Sequence, residues 1–362
     1  MEEAPAFPEW MQMREYPFLI AGPCSVESEV QIIETAREIA HTGRASVLRG
    51  GVWKPRTSPG NFEGIGIPAL GWLKKAGELA GLPVITEVAN AKHVEAALKS
   101  DIDMLWIGAR TTVNPFYVQE IADALKGVDI PVMVKNPIHP EVKLWLGALE
   151  RVKKAGTEKV AAIHRGFFSY QSNPFRNEPK WEVYFELRRL DPELPVICDP
   201  SHIAGKRELL AEICQSAMDL GIDGFMIETH LDPDKALSDP DQQITPEALT
   251  KLISSLQLRT DMVNDDQFIH QLEQLRNRID EVDKELLRTL QKRIAIVEDI
   301  GDVKNENQVT IFQMRRWFNV LENRKELALK LNLDPQIVYE LFQAIHKYSI
   351  DVQIKAKAVE KS

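Results

Sequence analysis

Arg49, Lys54 and Arg56 place three cations within eight residues, in the run Leu48-Arg49-Gly50-Gly51-Val52-Trp53-Lys54-Pro55-Arg56-Thr57-Ser58-Pro59. The run follows a strand-like segment and is rich in glycine and proline. A loop so charged suits an anion carrying more than one charge, because arginine offers a bidentate fork and lysine a point charge. The rest of the chain sharpens the contrast, with 44 Lys and Arg against 54 Asp and Glu and a formal net charge of -10. That balance argues against nucleic acid or an anionic membrane as partner of the whole surface, so an anion must be caught by a local cluster.

More cations, Arg110, Lys135 and Arg165, fall at or just after the ends of other apolar runs. With Arg49 and Lys54 they describe a site for a substrate bearing both phosphate and carboxylate. A second set, Cys24, His202, Glu228 and Asp239, mixes thiolate, imidazole and carboxylate donors. Such a mixture suits a divalent transition ion such as Mn, Fe, Co or Zn. Cys198 competes for the thiolate role, but it lies inside a strand-like run and reads as packed. Three cysteines are too few for a disulfide framework. No N-terminal signal pattern is visible, and no apolar run approaches the ~20 residues that span a bilayer. The expectation is a cytoplasmic protein with no membrane partner.

These side chains need a scaffold that brings them together. Eight short apolar runs alternate with helical stretches: Phe18-Ala21, Ala45-Leu48, Val84-Glu87, Met104-Ile107, Val132-Lys135, Val160-Ile163, Val196-Asp199 and Gly224-Ile227. That alternation is the signature of parallel βα units. Cys24, Arg49, Glu87, Arg110, Lys135, Arg165, His202 and Glu228 stand at or just after the C-terminal ends of the eight runs, one per run. A closed (β/α)8 barrel would gather all eight ends around one mouth, whereas an open sheet would string them along an edge. We therefore expect a barrel over residues 1–258, a polar linker over 259–267 and a helical domain over 268–362.

The helical part predicts three helices, the second over Gln313 to Leu331 and the third after Asp334-Pro335. In the first, Leu286, Arg293, Val297, Ile300 and Lys304 share one stripe, so two cations lie on an otherwise apolar face. A buried charge needs a partner, which points to an anionic ligand in the bundle, although long stems can also snorkel outward. Arg276 stands roughly 25 Å from Arg293 along a straight helix, too far to serve the same ligand. If it binds, it binds in a partner's pocket, which predicts a dimer with shared sites.

Ala21-Gly22-Pro23-Cys24-Ser25, Lys54-Pro55-Arg56-Thr57-Ser58, Ile107-Gly108-Ala109-Arg110, His164-Arg165-Gly166, Cys198-Asp199-Pro200-Ser201-His202 and Ala236-Leu237-Ser238-Asp239 together resemble the motif series of the 3-deoxy-arabino-heptulosonate 7-phosphate (DAHP) synthases. The closest-looking subtype is the short type I beta form, without an N-terminal regulatory extension. The resemblance implies a condensation of phosphoenolpyruvate with erythrose 4-phosphate. By it, Arg49, Lys54, Arg110, Lys135 and Arg165 would hold phosphoenolpyruvate, and Arg56 with Thr57 would anchor the aldose phosphate. Cys24, His202, Glu228 and Asp239 would bind the metal that polarises the aldehyde. Lys54 is a candidate proton donor, on the expectation that a cation-rich site lowers its pKa. One departure is His164, where many relatives carry Glu. A related barrel family, the 3-deoxy-octulosonate 8-phosphate synthases, typically shows Lys-Ala-Asn-Arg-Ser where this chain has Lys54-Pro55-Arg56-Thr57-Ser58.

The tail resembles the all-helical chorismate mutases through Leu275-Arg276-Asn277-Arg278-Ile279-Asp280, Arg293, Lys304, Arg316, Leu341-Phe342-Gln343, Ser349 and Gln353. The resemblance implies an intertwined dimer that rearranges chorismate to prephenate. Arg276 and Arg293 would hold the two carboxylates, Lys304 and Gln353 the ether oxygen, and Ser349 and Arg316 the pocket wall. Gln313 stands where an acid is common and can still hydrogen-bond. Trp317 replaces a Glu that binds the substrate hydroxyl, so weaker turnover is expected. The chain thus reads as a bifunctional shikimate-pathway enzyme in which the mutase part could also exert feedback control. The alternative is a tail that dimerises and senses chorismate or prephenate with little turnover.

Overall fold

The computed structural model describes residues 10–11, 17–55, 60–170, 173–258 and 265–359. Two compact units divide the chain, Met1–Asp261 and Met262–Ser362. In the first, eight parallel strands close into a barrel: β1 (Phe18–Gly22), β2 (Val47–Arg49), β3 (Val84–Val88), β4 (Met104–Ile107), β5 (Val132–Lys135), β6 (Val160–His164), β7 (Val196–Cys198) and β8 (Gly224–Glu228). Each strand pairs with its sequence neighbour. The ring is sealed between β1 and β8, where Phe18 to Gly22 register with Gly224 to Glu228.

Strand residues buried on both faces read as near-continuous apolar runs, which is what a parallel sheet covered by helices requires. One set, including Phe18, Ile20, Val47, Ile85, Trp106, Met133, Ile163, Ile197 and Met226, forms a compact cluster that also takes in Met11. The alternate set, including Leu19, Ala21, Leu48, Val84, Leu105, Val132, Ala162 and Phe225, packs with the surrounding helices. Local signals set the helix starts: the side chains of Ser28, Asn90, Asn114 and Thr245 each accept a hydrogen bond from a backbone N–H in the first turn that follows.

Two glycines allow the strand ends to close up at the mouth. Gly22 has φ of 148°, and a Cβ there would strike the Arg49 carbonyl across β1 and β2. At Gly108 a Cβ would meet the Glu87 carboxylate, so any side chain would push the loop after β4 off the site.

The second unit holds three helices, Asp266–Glu306, Met314–Lys330 and Pro335–Val359. Residues 259–264 of the expected linker lie outside the described residues. Asp265 caps the first helix, its carboxylate accepting from the N–H groups of Gln267 and Phe268. That helix runs 41 residues without a break yet buries only Val297 and Gly301. Leu275, Ile279, Val282, Leu286, Leu287, Ile296 and Ile300 are all exposed. No described helix is long and apolar enough to cross a membrane.

Candidate active sites

The strand ends converge as the barrel requires. A cavity of about 470 Å³ opens at the C-terminal mouth, and its walls include Lys54, Glu87, Arg110, Lys135, Arg165, Arg176, His202 and Asp239. A larger hollow, about 800 Å³, lies at the opposite end of the barrel beside Trp10. Its lysines are already paired, Lys153 with Asp191 and Lys159 with Asp129, and no reactive set converges there.

Arg49 lies beneath the mouth, only 1% exposed. One of its nitrogens donates to Glu228 at 3.0 Å, while Nε and Nη1 have no hydrogen-bond partner among the described residues. Burial works against its charge, but Glu228 and Asp199 outweigh burial and raise its pKa. Trp106 supports the same group, with the Arg49 guanidinium 5.1 Å and the Lys135 ammonium 5.6 Å from its ring. The indole N–H in turn donates to Glu87 at 3.1 Å.

Asp199 is the hub the motif reading left without a role. Fully buried, it accepts from Lys135 Nζ at 2.6 Å, engages His202 Nδ1 at 2.9 Å and caps the helix Pro200–Ala204 through the His202 N–H. Burial alone would raise its pKa, yet His202 and Lys135 hold the carboxyl well below the usual range. Arg165 is oriented by two asparagines: its backbone N–H donates to Asn136 Oδ1 at 2.7 Å and its guanidinium to Asn177 Oδ1 at 2.9 Å. Burial pulls its pKa down to about 10, against the pull of Asp199, so it remains a cation near neutrality. Arg110 donates to the Pro55 carbonyl. Arg56 and Thr57 lie outside the described residues. Just before them, Trp53 stacks on His93 with ring centroids 3.8 Å apart and holds the loop against the barrel.

The four metal candidates approach in pairs. Cys24 Sγ lies 3.2 Å from Asp239 Oδ2, and His202 Nε2 lies 3.9 Å from Glu228 Oε1. Asp199 occupies the other imidazole nitrogen, the arrangement that orients a metal-ligating histidine. Each donor is engaged by a protein group: Lys54 reaches Cys24 Sγ at 3.0 Å, Gln242 reaches Glu228 at 2.6 Å and Arg176 reaches Asp239 at 3.0 Å. Among the described residues, no three of these side chains yet form a cluster that would enclose an ion. The donor chemistry and buried setting nonetheless fit a divalent transition metal. Cys198, the rival thiol, is packed in the outer core.

Lys54 departs from expectation. Burial and Arg49 work against its charge, but Cys24, Glu228 and Glu87 act the other way and its pKa is raised. Lys54 therefore stays protonated near neutrality.

In the helical unit, Arg293 donates to Ser349 Oγ at 2.7 Å, and Lys304 donates to Gln353 Oε1 at 3.4 Å and to the Ile311 carbonyl at 2.6 Å. These four residues therefore meet across two helices. Gly301 makes room, since a Cβ there would press to 3.2 Å from Gln353 Cγ. Gln313, Arg316 and Arg276 are exposed. Because Arg276 and Arg293 share one unbroken helix, roughly 25 Å of axial rise separates them.

Residues 12–264 match the DAHP synthetase I family, and residues 275–354 match chorismate mutase type II. A phospho-2-dehydro-3-deoxyheptonate aldolase of Thermotoga maritima is 31% identical over 246 residues, covering 68% of this chain and 70% of that protein. A 2-dehydro-3-deoxyphosphooctonate aldolase of Nitrosococcus oceani is 27% identical over 274 residues, or 70% of this chain and 92% of that one. The crystal structure of a Thermotoga maritima DAHP synthase superposes with a TM-score of 0.59 at 30% identity, over 66% of this chain and 67% of its own.

His164, just before Arg165, is wholly buried beside Trp145, Phe167 and Trp181, and neither ring nitrogen makes a well-formed hydrogen bond. Burial drives its pKa from 6.5 to about 3, against the opposing effect of the Pro179 backbone. The unfolded chain therefore binds a proton that the folded barrel refuses, so this contribution is complete above pH 6.5 and is lost as pH falls from there toward 3. At pH 5 the wild-type barrel should lose about 2 kcal/mol relative to pH 7 through this group. The variant His164→Phe should lose less by that amount in urea titrations at the two pH values; equal losses would show that the site accepts the proton.

Proposed function

Because the chain belongs to the DAHP synthetase I family through its barrel and carries a chorismate mutase type II domain behind it, we propose that the two sites act as follows. The chain is a bifunctional enzyme, a DAHP synthase joined to a chorismate mutase. The observation that carries the synthase site is the buried Arg49, whose unpartnered nitrogens lie under a mouth ringed by Lys54, Lys135, Arg110 and Arg165. Such donors take the phosphate and carboxylate of phosphoenolpyruvate. Arg56 and Thr57 take the phosphate of erythrose 4-phosphate.

Cys24, His202, Glu228 and Asp239 would hold a divalent ion, which when bound supplies a Lewis acid for the aldehyde carbonyl. The chain's own residues orient the partners: Lys135 and Arg165, fixed by Asp199, Asn136 and Asn177, hold phosphoenolpyruvate so that its C3 faces the aldehyde carbon. A C–C bond forms there, water adds at C2 and inorganic phosphate leaves. The three free cysteines fit the reducing cytoplasm expected for the chain. Phosphate release should be fast with erythrose 4-phosphate, slow with arabinose 5-phosphate, abolished by a chelator and restored by Mn or Zn. Arg165→Ala should cost roughly 10- to 100-fold in kcat/KM, as expected for a charge-assisted contact. Preference for the pentose phosphate would move the chain to the octulosonate reaction, and indifference to chelation would remove the metal.

The mutase reading rests on the Arg293, Lys304, Ser349 and Gln353 cluster, which can hold a compact dianion and stabilise charge on a breaking ether bond without a nucleophile. The distance along the helix keeps Arg276 from the pocket of its own chain, which supports a role in a second copy's pocket, and the exposed apolar face of that helix would be the surface of such a homodimer. Arg276→Ala and Arg293→Ala should each abolish chorismate turnover, while their mixture after subunit exchange should recover about a quarter of the wild-type rate by random pairing. No recovery despite verified exchange would rule out the shared pocket. If neither variant alters turnover because the wild type has none, the tail is a sensor.

Fusion also gives an end-product-binding unit to the enzyme that opens the sequence of reactions, so prephenate should slow the synthase. A synthase rate unchanged by saturating prephenate would remove this control.

A further inference from the structure

His346 is the ionisable group near the tail cluster that the mutase reading does not use. It lies one turn before Ser349 and two turns before Gln353 on the helix Pro335–Val359, so the three residues share a face. The middle helix brings Trp317 against it, the two rings stacked at 3.8 Å and 9° apart in plane, and Phe312 closes at 6.0 Å. The stack fixes the imidazole plane, yet Nε2 is buried with no hydrogen-bond partner among the described residues. Leaving such a nitrogen unsatisfied is costly, a cost that an apolar residue at the same place would avoid.

The surroundings select what could satisfy it. The charged groups that act on His346 are Arg293 and Lys304, and with burial they lower its pKa, so the ring is neutral near pH 7. On the mutase reading Arg293 takes a carboxylate of the bound dianion and Lys304 its ether oxygen. A neutral imidazole beside them cannot compete for a carboxylate, but it can bond a neutral hydroxyl, as donor or acceptor according to its tautomer. Trp317 lacks an acceptor and can only brace the ring.

We propose that His346 Nε2 is a substrate contact of the mutase pocket and binds the ring hydroxyl of chorismate, with Trp317 as the positioning residue that holds the imidazole in plane. The assignment rests on the mutase reading of the tail. It gives the pocket a neutral means of recognising the alcohol, one that adds no negative charge next to the substrate's two carboxylates.

The test uses the full chain, with chorismate and its analogue lacking the ring hydroxyl as substrates. His346→Phe keeps the stack and removes the nitrogen; His346→Asn returns a polar atom at shorter reach. For His346→Phe, kcat/KM with chorismate should fall about tenfold while that with the deoxy analogue stays within about twofold. His346→Asn should fall between. The informative quantity is the ratio of the two kcat/KM values, which does not depend on how much of a variant folds. A ratio unchanged from wild type in both variants would overturn the assignment while leaving the mutase reading intact. Absence of chorismate turnover in the unaltered protein would remove that reading and this contact with it.

Discussion

Charge balance inside a crowded barrel mouth is the constraint on which the synthase half depends. Arg49 and Lys135 are buried and Lys54 and Arg165 half-buried around one cavity, where like charges repel more strongly than in bulk solvent. Buried carboxylates make the gathering tolerable. Asp199 sits between Lys135 and His202, Glu228 faces Arg49, and Glu87 is tied to the indole of Trp106 beneath two of the cations. The close approaches at Gly22 and Gly108 follow from this, because side chains there would separate Arg49 and Glu87 from the strands they face.

The balance is incomplete in a useful direction. The buried carboxylates are engaged, while Nε and Nη1 of Arg49 have no hydrogen-bond partner among the described residues. A site in that state favours an incoming anion, whose oxygens find oriented donors and need no rearrangement of the wall. Glu228 links the two chemistries, since it accepts from Arg49 and Gln242 and also approaches His202. A cation bound beside Glu228 would therefore loosen its hold on Arg49 and strengthen that arginine for its anion. The anion subsite and the proposed metal subsite would thus be coupled through one carboxylate.

The barrel was legible in the sequence because strand ends in this fold converge whatever their separation along the chain. One charged or reactive residue after each apolar run was enough to place Arg49, Lys135, Arg165, His202 and Glu228 together. Asp199 carried a signal too, since Asp-Pro marks a helix start, but capping does not disclose that the same carboxylate holds a lysine 64 residues away. Asn136, Asn177, Arg176 and Gln242 gave no warning, because uncharged amides and loop arginines are common and their partners are set by folding. Lys54 is the instructive failure. Counting cations nearby in sequence predicted a lowered pKa, whereas in space Cys24 and Glu228 are the neighbours that decide it.

The tail faces a different physical problem. A 41-residue helix that buries two of its own residues gains little from packing against its own chain, and helices in water derive most of their stability from such packing. Val282, Leu286 and Leu287 are each about 60% exposed or more, in the stretch between Arg276 and the cluster around Arg293. On the shared-pocket reading, one surface then answers both needs. A second copy laid along this helix would cover the apolar residues and bring its own Arg276 to the end of the pocket where a cation is missing. Association and substrate binding would become a single event energetically, so ligand should stabilise the paired state and pairing should raise affinity for the ligand, by the same factor in each direction.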